Sequence, residues 1–184
     1  MPASTRDHRR AVAYQLGQPL VRLHNIGLPE QAIGELLKMW HEGLVHQLVN
    51  YPADLRIERW LRENYPGLNE PQEASIRYSL GENRKMLARS TQGFTAPKVY
   101  DASATMNAAF ARYMARLYQD EKMAGRFQRS AYWAEGMRLA DDIWSTEDLG
   151  HKSDVESARE WAKLFGIDGW FEWRHADLVQ AVKR

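Results

Sequence analysis

The feature that most constrains this chain is the recurrence of apolar residues at helical spacing from segment to segment, with nowhere a convincing two-residue alternation. Between Pro29 and Val49 the apolar positions are Ile33, Leu36, Leu37, Trp40, Leu44 and Leu48, one side of a helix whose first turn tolerates the proline. Asn50 is a good N-cap and Pro52 fits a first turn. A second helix is therefore expected over ADLRIERWLREN, marked by Leu55, Ile57 and Leu61 and ended by Tyr65-Pro66-Gly67. The two should meet at a bend. A third helix begins near Pro71, with Asn69 and Glu70 at its start and Ile76, Leu80 and Leu87 on its buried side.

Residues 90 to 100, STQGFTAPKVY, break the pattern and read as an internal loop with a short extended piece around Lys98 to Tyr100. Helical spacing returns in SATMNAAFARYMARLYQDE through Met106, Phe110, Tyr113, Met114 and Leu117, and again from Phe127 to Ile143. Ser153 and Glu156 resemble a capping box opening a last helix that Gly166 ends. The expectation is a mainly α, single-domain irregular bundle of about six helices over residues 1–184, without significant sheet. Residues 1–25 are expected to be poorly ordered on their own. Trp161, Trp170, Phe171 and Trp173 would close the domain by packing back on the bundle.

Composition narrows the function. With no cysteine, thiolate catalysis, disulfides and sulfur-ligated zinc are excluded, so any metal must be held by His, Asp, Glu or water. The 25 basic and 24 acidic side chains nearly cancel and are interspersed, which argues against nucleic acid as a partner. No apolar run approaches the ~20 residues of a membrane span, and no apolar stretch follows the basic residues of MPASTRDHRR, so a cytoplasmic protein without membrane contact is the default.

The chemically richest stretch is KMWHEGLVHQLVNYPADLRIERWL, residues 38–61. His41 and His46 are five residues apart, not the four that let two imidazoles of an H-E-x-x-H helix share one zinc ion. At ~100° per residue they would diverge by ~140°. The four-residue steps run instead from Glu42 to His46, and through His46, Asn50, Asp54 and Glu58. Turned inward, that polar stripe needs a metal, an arginine or water as partner; turned outward it is a solvated face. Arg56, Arg59 and Arg62 lie on the same helix, and an arginine network that neutralises Asp54 and Glu58 is the rival to a metal site. His8, His24, His151 and His175 read as surface or structural residues. Asp141, Asp142, Glu147 and Asp148 around Trp144 read as a solvated helix end.

VNYPADLRIERWLRENYPGLNEPQEASI resembles the segment that follows the H-E-x-x-H helix in zinc metallopeptidase-like proteins of the gluzincin kind. YWAEGMRLADDIW and WAKLFGIDGWFEW are loosely similar to their C-terminal part. The likeness covers residues 35 to 75 and, more loosely, the last third. It implies zinc as cofactor, Asp54 and Glu58 as ligand and supporting carboxylate with His46 beside them, and Asn50, Glu42 and His41 around the site. No H-E-x-x-H occurs in the 184 residues, so the expected protein lacks peptidase activity alone, as a relative that has lost the metal or as the part downstream of a missing N-terminal segment. The alternative is a noncatalytic helical module whose partner is a protein or peptide.

Overall fold

The computed structural model describes residues 29–87, 97–145 and 151–170, and among them there are five α-helices, four short 3₁₀ turns and no strand. The mainly α class is thus as expected, with one helix fewer. Residues 1–25 and 90–96, together with Phe171 and Trp173, lie outside the described residues.

The missing helix is a merger. α1 runs unbroken from Glu30 to Asn64 with Pro52 inside it, so the bend expected at Asn50 does not exist. Local chemistry favours a break there, because proline removes the hydrogen bond to the carbonyl of Leu48 and crowds that carbonyl. Packing on both sides of the proline overrides it. Leu48 and Leu55 are buried, and between them the Tyr51 hydroxyl donates to Asn107 Oδ1 at 2.8 Å while its ring packs on Phe110 at 5.6 Å between centroids.

Tyr65 closes α1, Pro66–Leu68 form a 3₁₀ turn, and α2 returns over Asn69–Met86. The pair is antiparallel, since Gln72 lies by Glu58 and Asn83 by Tyr51. α3 spans Pro97–Tyr118, so the short extended piece expected at Lys98 to Tyr100 is the first turn of a helix, with Pro97 at the start where proline costs nothing. α3 is the axis of the fold, buried nearly all the way round from Val99 to Tyr118, and its small residues, Ala102, Ala104, Ala108, Ala109 and Ala111, let neighbours come close.

After α3 the chain turns at Gln119, which has a positive φ of 51°, and runs back along the helix through two 3₁₀ turns, Glu121–Met123 and Gly125–Arg129, that bury Met123 and Phe127. The helix expected from Phe127 therefore begins at Trp133: α4 spans Trp133–Ser145. It runs parallel to α3, with Tyr132 donating to Asp101 at 2.6 Å at one end and the Trp144 ring 5.0 Å from that of Tyr113 at the other. Between these points Gly136 meets Ala108 and Ala109 so closely that a Cβ on it would stand 2.7 Å from the Ala108 methyl. α5, His151–Leu164, ends ahead of Gly166, whose φ of +61° suits the stop expected there. Trp161 is buried in the core and Trp170 packs against it, the described half of the expected aromatic closure.

Candidate interaction face on the first helix

Because α1 is one helix, the positions of the proposed metal residues follow from its geometry. Successive four-residue steps advance by ~40° around the axis and ~6 Å along it, so His46, Asn50, Asp54 and Glu58 trace a slow spiral of ~120° over ~18 Å. His41, Glu42, His46, Asn50 and Asp54 are exposed, and Glu58 is half-buried against α2. His46 thus faces solvent, while Glu58 accepts from the Gln72 side-chain amide, which also donates to the Glu58 backbone carbonyl at 2.9 Å. Among the described residues no three His, Asp or Glu side chains come close enough to hold a metal ion.

The two carboxylates nevertheless feel the protein. Partial desolvation raises the affinity of Asp54 for its proton. Glu58 is also raised, first by desolvation and further by the charge of Asp54, against the opposing effect of the Gln72 hydrogen bond. Neither carboxylate is held by an arginine of its own helix. Arg56, expected at the surface or beside Asp54, is 3% exposed and pairs with Asp154 at the start of α5, while its second terminal nitrogen donates to Ser157 Oγ at 3.2 Å. Arg59 donates to Glu63 at 2.8 Å and to the Trp144 carbonyl at 3.3 Å, and its guanidinium lies 4.6 Å from the centre of the Trp144 ring. Arg116 approaches the same ring at 4.1 Å. Trp144 is thus an aromatic stop between two cations, tying the end of α4 to α1. The helical projection could have shown this: Arg59 falls within ~40° of both Leu48 and Leu55, on the buried side.

Sequence reasoning missed the opposite face. Val49, Ile57 and Trp60 are 44%, 52% and 42% exposed, and with half-buried Ala53 they fall within an arc of ~80° on the outer side of α1. Tyr65, in edge-on contact with Trp60 at 5.2 Å, and Leu68 continue the apolar surface beyond the helix end, both also exposed. Beside this stripe Ala53, Arg56, Ile57, Trp60 and Asp154 line a groove of about 290 Å³, its polar floor formed by the Arg56–Asp154 pair and its rim by Trp60. The signal was present in the sequence as Val49, Ala53, Ile57 and Trp60 at spacings of four, four and three, a second apolar line on a helix already assigned one.

No helix among the described residues is long and apolar enough to cross a membrane. No family model, curated protein or solved structure matches the chain.

Proposed function

We propose that the chain is a noncatalytic helical interaction module that takes a short amphipathic helix of a protein partner along the outer face of α1. The observation that supports this reading is the continuous line of exposed Val49, Ile57 and Trp60, prolonged by Tyr65 and Leu68 and bordered by a groove. Single exposed apolar residues are ordinary, but a contiguous row containing tryptophan and tyrosine is the composition of binding hot spots. Apolar side chains of a partner at i, i+4 and i+7 match the spacing of the stripe, and the Trp60 rim with the groove beneath it receives one anchor.

The test uses a photo-reactive phenylalanine analogue placed at Ile57 in the full chain in its native cells, with the same analogue at exposed Ala134 on α4 as reference. Cross-linking to a discrete protein at position 57, absent at 134 and abolished by Trp60→Ala, is expected. Equal capture at both positions would refute the reading. Near-stoichiometric zinc on the purified chain, lost in Asp54→Ala or Glu58→Ala, would instead favour the metallopeptidase-like alternative.

A further inference from the structure

The outer face of α1 carries apolar residues at the spacing it is suited to receive. Ala53, Ile57 and Trp60 stand at i, i+4 and i+7, with Val49 one turn before them and Tyr65 just past the helix end. α1 is therefore itself a helix of the kind that fits this face, and side-chain size decides how. Trp60 is the largest residue of the stripe, and Ala53, which shares the groove wall with Arg56 and Ile57, is the smallest.

Two copies of α1 pack well side by side where Trp60 of each lies over Ala53 of the other. A parallel pair instead sets Trp60 against Trp60 and Ala53 against Ala53, a collision at one level and a gap at another. An antiparallel pair with Trp60 level with the second copy's Ala53 has its two-fold axis between Arg56 and Ile57. Ile57 then lies beside its own counterpart, offset by ~1.5 Å along the helix, and Val49 is level with Asn64 and next to Tyr65 of the second copy. Sliding the copies by two turns, so that Ala53 meets Ala53, would put Trp60 against exposed His46 and Tyr65 against exposed His41. Antiparallel packing also brings opposite ends of the two helix dipoles together.

Val49, Ile57, Trp60 and Tyr65, each close to half exposed, offer about 400 Å² of apolar area per copy. Homodimer interfaces are about 65% apolar, so two such faces correspond to an interface of about 1,200 Å², the lower bound for a stable specific pair.

From this self-complementarity we infer that the helix received on the outer face of α1 is the α1 of a second copy, packed antiparallel about a two-fold axis between Arg56 and Ile57, with each Trp60 seated over the other copy's Ala53. The inference rests on the reading of this face as a docking surface and names its occupant.

Sedimentation equilibrium of the purified full chain is expected to show monomer and dimer in exchange. Removing Trp60 takes two anchors from the pair, so Trp60→Asp should raise the dissociation constant at least about a hundredfold, with circular dichroism unchanged because the residue is exposed. A mass that stays monomeric up to about 1 mM overturns the inference, as does a dimer that Trp60→Asp leaves intact. The absence of cysteine allows the register to be tested with single introduced thiols. Ile57→Cys stands at the axis and should give a disulfide-linked product of doubled mass under mild oxidation, whereas Val49→Cys, on the same stripe but ~22 Å from its counterpart, should not. Linkage at both positions or at neither refutes the antiparallel pair. Photo-cross-linking at position 57 separates this inference from the reading beneath it. A product of twice the chain's mass is expected; capture of a different protein by a monomeric chain rejects the second copy and leaves the docking surface intact, and no capture rejects the surface itself.

Discussion

Replacing Gly136 by alanine tests the packing at the centre of the fold. A Cβ at this position would stand 2.7 Å from the Ala108 Cβ, 2.8 Å from the Ala109 nitrogen and 2.9 Å from the Ala108 carbonyl carbon. Ordinary carbon contacts lie at ~3.5–4.0 Å, so α3 and α4 would have to move apart by ~1 Å, and two of the three atoms met belong to a backbone that cannot swing aside. Overpacking of this sort costs about 1–3 kcal/mol. The substitution also gains ~1 kcal/mol in helix propensity, which would mask part of the cost. Gly43→Ala supplies the correction: Gly43 is inside α1, exposed, with nothing within 4 Å of its added methyl, so it takes the propensity gain without the clash. The difference between the two variants isolates the steric cost, and Gly136→Ala should be less stable than Gly43→Ala by about 1–3 kcal/mol. Urea unfolding followed by tryptophan fluorescence reads this as a shift in midpoint at constant slope. Equal midpoints would mean that α3 and α4 do not approach as closely as described.

Other consequences can be measured the same way. Glu58 holds its proton more tightly in the folded chain than in the unfolded one, so its contribution is favourable below the ordinary glutamate range and is lost as pH rises through the raised folded value. Glu58→Gln, which keeps an acceptor for Gln72, should raise the melting temperature at pH 7 and leave it unchanged near pH 3; the same gain at both pH values would contradict this origin. Asp154→Ala leaves the buried Arg56 without its carboxylate and should cost about 3 kcal/mol in urea unfolding, whereas Arg56→Met with Asp154→Leu should come close to the parent. Tyr51→Phe removes the donor to the fully buried Asn107 and should cost about 1–3 kcal/mol; a neutral result would show the amide to be satisfied some other way.

What was legible in the sequence followed the range of the forces involved. Periodicity and punctuation identify the helical class, the start of α2 to within two residues, near Pro71 against Asn69, and the stop at Gly166, because these depend on side-chain spacing and backbone preference within a turn or two. Pro52 misleads for the same reason: its local effect is to break a helix, and what overrules it is a contact between Tyr51 and Asn107, 56 residues apart. Pro97 suggests loop punctuation by itself, although a helix start accommodates it equally well. The Arg56–Asp154 pair spans 98 residues and leaves no local trace, so the sequence alone suggests only the nearby acids as partners for an arginine on α1. The spiral of His46, Asn50, Asp54 and Glu58 looks like a line only when a bend or a convergence is supplied to straighten it.

The proline within α1 divides that helix mechanically. Beyond it the rod is held by Leu55, Arg56 and the aromatic stop at Trp144; before it, among the described side chains, only Ile33, Leu44 and Leu48 are buried. Opening the turn at Leu48 breaks one hydrogen bond fewer than anywhere else in α1, since Pro52 has no hydrogen to give. Amide exchange should accordingly fall into two blocks, fast from Glu30 to Leu48 and slow from Leu55 to Asn64, and the first ~27 Å of the helix can be pulled or steadied by whatever binds it without unseating the remainder.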